Sequence, residues 1–115
     1  MSITFACKKI MIEDLIRCAF QLNKTEYKVL LFLLKEKKET GIKKIAKSLN
    51  LKRCSIQKAV KNLLKKELIK RTQKNLSSGG YLFFYSSINK KSLKERLKNL
   101  LYGWYKGAEK AIGRL

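Results

Sequence analysis

Arg53 and Gln57 stand four residues apart, about one turn of a helix, and each side chain can make two parallel hydrogen bonds at once. A guanidinium fork matches the O6 and N7 acceptors of guanine. A carboxamide matches the N6 donor and N7 acceptor of adenine. Around this pair lie Lys52, Ser55, Lys58 and Lys61. Lysines are point charges suited to phosphate oxygens, which fix position without discriminating between sequences. In the same segment Ile56, Ala59, Val60, Leu63 and Leu64 recur at helical spacing and supply an anchoring face. The stretch therefore reads as a helix over about 53–65 with one face for a core and one for a nucleic acid. For Lys61, Lys65 and Lys66 a solvated helix face explains the charge equally well.

The composition of the whole chain agrees. Its 115 residues carry 28 Lys and Arg against 8 Asp and Glu, a formal charge of +20. Such a chain repels itself, and a polyanionic partner is the simplest reason for it. A compositional habit is the competing explanation, since lysine outnumbers arginine 23 to 5. Lysine enrichment from hot habitats comes with glutamate, however, and here it does not. The charge is also localised: between Thr40 and Lys91 there are fourteen cations and the single acid Glu67.

Enzyme chemistry has little to work with. There is no histidine, and the three cysteines, Cys7, Cys18 and Cys54, show no CxxC spacing. That removes the commonest general base and the usual nucleophile pairs, and leaves too few ligands for a structural zinc site. No metal and no cofactor are expected. The longest apolar run, Val29 to Leu34, is far too short to span a membrane. The start "MSITFACKKIM" lacks the features of a signal peptide. A cytoplasmic, nucleoid-associated protein is expected.

The length suits one domain with a real core. Ile12, Leu15, Ile16, Ala19 and Phe20 predict a helix from Lys9 to Leu22. Asn23-Lys24 breaks it, Thr25 can cap the next helix, and Glu26 favours the positive end of that helix dipole. "YKVLLFLL" is apolar nearly all round, so this second helix is central to the core or shared with another subunit. Gly41 to Leu49 forms a short helix with Ile42, Ile45, Ala46 and Leu49 inward, and Asn50-Leu51 turns the chain into the 53–65 helix. Leu68 to Gln73 and Tyr81 to Ser87 are strand-like, joined by the polar tip "KNLSSGG". Ser92 to Glu95 has the pattern of a capping box, opening a helix of some 22 residues, about 33 Å long.

The stretch "TEYKVLLFLLKEKKETGIKKIAKSLNLKRCSIQKAVKNLLKKELIKR", Thr25 to Arg71, resembles the DNA-binding core of archaeal TrmB and MarR-type transcriptional regulators, including the small Lrs14-like proteins of archaea. The resemblance rests on hydrophobic spacing and cap positions and covers about half the chain, to Tyr85. Two positions depart from it: Lys52 stands where these families place a capping serine, and Glu67 stands where they place a glycine before "LI". A non-glycine residue resists positive φ, so a different helix exit is expected there. The resemblance implies a mostly α, α+β winged helix-turn-helix with N- and C-terminal dimerisation helices. Residues 1–22 would be the N-terminal helix, 25–87 the winged core and 92–115 the C-terminal helix. Together with the lysine and isoleucine usage, it suggests an archaeal source.

On this reading the candidate DNA contacts are Lys43 and Lys44 at a helix start, Lys52, Arg53, Ser55, Gln57, Lys58 and Lys61 on the recognition helix, and Arg71, Lys74 and Asn75 on the wing. "YLFFY" could stack on unpaired bases, but alternating aromatics more often pack a hairpin onto its domain. The last helix is too long for one small domain to cover. Leu15, Phe20, Leu97, Leu100, Leu101, Gly103, Trp104, Gly107, Ala108 and Ile112 are therefore candidates for a homodimer interface, the two glycines leaving a notch for close approach. Tyr102, Trp104 and Tyr105 could wall an effector pocket, although a plain packed interface is preferred and the effector is unknown. Cys54 among cations could be an oxidation-sensitive thiol, with a small helix residue the preferred reading. The expected function is a dimeric duplex-DNA-binding transcriptional regulator; the alternative is an abundant architectural DNA-binding protein of low specificity.

Overall fold

The computed structural model describes residues 2–5, 8–36 and 38–115. In order they form β1 (Ser2–Phe5), β2 (Lys8–Met11), α1 (Ile12–Phe20), α2 (Lys24–Lys35), α3 (Ile42–Leu49), α4 (Arg53–Lys65), β3 (Ile69–Asn75), β4 (Tyr81–Ser87) and α5 (Lys90–Gly113). Two compact units result: residues 22–88, and the two chain ends, 1–21 with 89–115.

In the first unit, α2, α3 and α4 surround a core of Val29, Leu30, Leu33, Ile45, Ile56, Ala59, Val60 and Leu63, closed by Leu68, Ile69 and Tyr85. Each large aliphatic side chain buried there contributes roughly 1.5–3 kcal/mol. The run "YKVLLFLL" buries only Val29, Leu30 and Leu33, with Leu31, Phe32 and Leu34 half-buried. β3 and β4 pair antiparallel with Ile69 opposite Ser87 and Asn75 opposite Tyr81. Thr40 extends this ladder by exchanging both backbone hydrogen bonds with Tyr85 at 2.9 Å. β3 is thus an edge strand, and its exposed Lys70, Arg71 and Lys74 discourage pairing with another chain. Helix, short helix, turn, helix and hairpin in this order make a winged helix-turn-helix, and the overall class is α+β.

Several local expectations are corrected. The first helix begins at Ile12 rather than Lys9, because Lys8–Met11 pairs with Ser2–Phe5 in a second hairpin. Residues in a ladder have their backbone groups committed there and cannot start a helix. Thr25 does not cap α2: Asn23 does, its Oδ1 accepting from Glu26 N at 2.8 Å while Glu26 Oε1 accepts from Asn23 N at 2.9 Å. Ser92 likewise lies inside α5, whose cap is Asn89, with Oδ1 accepting from Lys91 N at 2.8 Å. Glu67 does not change the helix exit. It adopts φ +58° and closes α4 as glycine would, its amide donating to Leu64 O at 3.0 Å. That left-handed conformation costs about 1–2 kcal/mol for a residue with a Cβ. The strands of the wing run to Asn75, so its turn is Leu76–Gly80, with Gly79 and Gly80 at φ +94° and +79° where glycine is needed.

The second unit holds the β1–β2 hairpin, α1 and the 24-residue α5. Phe20 of α1 is 7 % exposed, and the Arg96 guanidinium of α5 lies 5.5 Å above its ring. Cys7 falls outside the described residues. No helix among the described residues is long and apolar enough to cross a membrane.

Candidate nucleic-acid interface

α4 spans Arg53–Lys65, the boundaries its periodicity predicts. Ile56, Ala59, Val60 and Leu63 are buried, which turns the opposite side of the helix outward. Cys54, Lys58, Lys61 and Lys65 recur there at i, i+4, i+7 and i+11, all exposed. Arg53 and Gln57 flank this stripe on one side and are exposed. Ser55 flanks it on the other and is half-buried, lining a small cleft with Asn23, Thr25, Glu26, Lys58, Ala59 and Asn62. Ser55 therefore lies on the α2 side of the helix, away from Arg53 and Gln57.

A buried bond fixes how α4 is held. Glu26 is only 4 % exposed, and its Oε2 accepts from Asn62 Nδ2 at 2.7 Å. One carboxylate thus caps α2 and ties it to α4. Sequence reasoning placed Glu26 near the helix dipole but missed Asn62, whose only signal was its polarity on the margin of an apolar face.

The start of α4 has no such help. Lys52 is the N-cap, in extended conformation, and no side chain bonds the free amides. Its substitution separates stability from binding. Lys52→Ser is expected to raise the unfolding free energy by about 0.5–2 kcal/mol through the restored cap. If Lys52 holds a phosphate, as its position suggests, the same change should also flatten the log–log salt dependence of DNA binding by about 0.9. Thermal unfolding and a salt titration on the same preparation check both signs.

Lys43 and Lys44 occupy the first turn of α3 and are exposed. On the wing, the Arg71 guanidinium lies 4.3 Å above Phe83, and Lys74 Nζ lies 4.8 Å above Phe84 and 3.8 Å from Glu39 Oε2. Asn75 ends β3 beside the turn. Of the aromatic run, Tyr85 is core and Phe83 and Phe84 are half-buried, while Tyr81 is exposed and meets Phe83 edge to face. The structure thus groups Arg53, Gln57, Lys58 and Lys61 on one helix surface, and sets Ser55 apart.

The candidate dimer residues lie in the terminal unit. Leu15, Leu97 and Ala108 are half-buried, and Phe20 is already covered within its own chain. Leu100, Leu101, Trp104 and Ile112 are exposed, Trp104 by 71 % and Ile112 by 67 %. A Cβ at Gly103 or Gly107 would meet nothing within 4 Å.

An exposed cationic helix packed on α2 and α3 and followed by a basic hairpin is the arrangement of the winged-helix class. The chain belongs to the TrmB family: the family described as sugar-specific transcriptional regulator TrmB matches residues 16–91. The protein MJ1082 of Methanocaldococcus jannaschii is 33 % identical over 103 residues, covering 90 % of this chain and 84 % of that protein. A structure described as a possible transcriptional regulator from Methanosarcina mazei superposes with a TM-score of 0.90 at 30 % identity, covering 99 % of this chain and 96 % of that one. A MepR mutant of S. aureus bound to an oligodeoxyribonucleotide shares the fold, with a TM-score of 0.58 at 14 % identity over 90 % of this chain and 73 % of that one. Family and fold are those of DNA-binding transcriptional regulators.

Proposed function

We propose that this protein is a homodimeric regulator that reads duplex DNA with the N-terminal half of α4 in the major groove. Arg53 and Gln57 contact base edges there. Lys52, Lys58 and Lys61, with Lys43 and Lys44 of α3, hold the flanking phosphates, and Ser55 is at most a peripheral contact. Arg71, Lys74, Asn75 and the turn after them follow the backbone or enter the adjoining minor groove. The observation that carries this reading is the exposed side of α4, where cations and two base-reading side chains stand together and no acid intervenes. The protein would act in the cytoplasm, on the nucleoid.

Six to ten neutralised phosphates give an expected log–log salt slope of about −5 to −9. The direct test is selection of duplex fragments from a genomic pool at about physiological ionic strength, followed by sequencing. A shared, near-palindromic motif is expected. Retention of every fragment in proportion to length would instead make the protein an architectural DNA coat, and the regulator reading would be wrong.

Dimerisation rests on α5. Its exposed Leu100, Leu101, Trp104 and Ile112 form more apolar surface than a solvated helix needs, and the open notch at Gly103 and Gly107 admits a second helix. A two-fold pair then presents two recognition helices to half-sites about 34 Å apart. Trp104→Glu is expected to shift sedimentation from dimer to monomer and to weaken binding to a palindrome far more than to a single half-site. Sedimentation of the native chain as a monomer at micromolar concentration would remove the dimer.

A further inference from the structure

Where α4 runs into β3 the surface has a shallow, wide-open depression. Leu64 and Ile69 form its floor, and Lys61, Lys65, Lys70 and Arg71 form its rim. No carboxylate lines it, and none of the four cations is ion-paired among the described residues. Four like charges around one hollow repel each other. The dipole at the C-terminal end of α4 accounts for Lys65, and for Lys61 more weakly; protection of the β3 edge calls for charge on that strand but not for its convergence with the helix lysines. Arg71 is also held in place, its guanidinium stacked on Phe83.

The position of the hollow says what it fits. Arg53, Gln57, Lys61 and Leu64 recur along one side of α4 at i, i+4, i+8 and i+11, so the hollow continues the row that carries Arg53 and Gln57 beside the cationic stripe. Along the helix axis Lys65 is about 18 Å from Arg53 at 1.5 Å per residue. The major groove is only about 12 Å wide. A helix inserted by its N-terminal half therefore brings its C-terminal half onto the phosphate ridge. If the wing also reaches the neighbouring minor groove, a backbone strand runs between it and α4, and the hollow is the cationic surface at which helix and wing meet.

We infer that this hollow seats the sugar–phosphate backbone between the two grooves, with Lys65 and Lys70 acting as phosphate ligands alongside Lys61 and Arg71. Phosphate oxygens meet the rim cations, and deoxyribose carbons lie against Leu64. The inference rests on the groove docking proposed above and extends it. The hollow makes the junction of helix and wing, rather than the wing tip alone, the anchor of the complex.

The test uses the full chain and a duplex fragment retained from the genomic pool. Lys65→Ala/Lys70→Ala/Arg71→Ala should flatten the log–log salt slope by about 2–3, three contacts at about 0.9 each. It should also lose hydroxyl-radical protection of one backbone segment between the two grooves, and keep the native preference among fragments. Lys90→Ala/Lys91→Ala/Lys94→Ala removes the same charge from exposed positions at the start of α5 and serves as the control. Equal slope changes in the two triple variants, or an unchanged footprint in the first, would overturn the hollow while leaving the groove docking standing. A flat salt dependence of the native protein would overturn both.

Discussion

Replacing Arg53 and Gln57 together by alanine is expected to abolish discrimination between the selected site and a scrambled one while leaving most non-specific affinity in place. Each bidentate contact to a base edge is worth about 1–3 kcal/mol of discrimination. The pair therefore accounts for about 2–6 kcal/mol if both are made. Only one charge is lost, so the salt slope should change by no more than about 0.9. Both side chains are exposed on the flank of α4, outside the buried face of Ile56, Ala59, Val60 and Leu63, so the fold should tolerate the change. Competition binding with the two duplexes measures the effect. If the double variant discriminates as well as the native protein, sequence is read elsewhere and the assignment of α4 fails.

The largest effect on stability is expected at Glu26. Its carboxylate accepts from Asn23 N on one oxygen and from Asn62 Nδ2 on the other, almost wholly out of water. Glu26→Ala removes half of the capping box, about 1 kcal/mol, and a charge-assisted hydrogen bond worth about 1.5–3 kcal/mol. A loss of about 2.5–4 kcal/mol should lower the melting temperature by roughly 10–20 °C. Both partners of this carboxylate are donors, and that makes an unusual second prediction. Glu26→Gln should be nearly as harmful, because its amide nitrogen has to face one of the two donors. Adding Asn62→Asp supplies an acceptor for that nitrogen and should recover much of the loss. A double variant no more stable than Glu26→Gln alone would mean that the bond to Asn62 contributes little.

On the proposed docking, this bond should also link stability to site preference. Asn62 lies on the same helix as Gln57, and α4 is held at that level by α2. Loosening it should broaden the orientation of the recognition helix and reduce site preference before the chain unfolds. The uncapped Lys52 shows the same tension at the other end. A serine there would make a more stable helix, and a lysine offers a charge where a phosphate would lie.

Much of the winged core is legible in the residues. The limits of α4 follow from a strong apolar period between Asn50, which ends α3 at φ +54°, and the left-handed Glu67. The wing follows from two strand-like runs around "SSGG". Helix caps were less legible, since Asn23 and Thr25, or Asn89 and Ser92, qualify almost equally by residue type. Which one caps depends on where packing lets the helix begin. The N-terminal hairpin was missed because strands of four residues carry too little alternation to compete with the helical pattern beginning at Ile12.

By residue type and spacing alone, then, the chain determines its helices, their apolar faces, and the presence on one of them of side chains with the chemistry to contact bases and phosphates. These are short-range properties, set by a period of 3.6 or 2 and by charge. Only the tertiary structure decided that Ser55 lies on the α2 side, that Glu26 joins Asn62 across 36 residues, and that Lys61 and Lys65 share a hollow with Lys70 and Arg71. Such meetings depend on how buried faces dock, and no local period encodes the angle at which one helix rests on another.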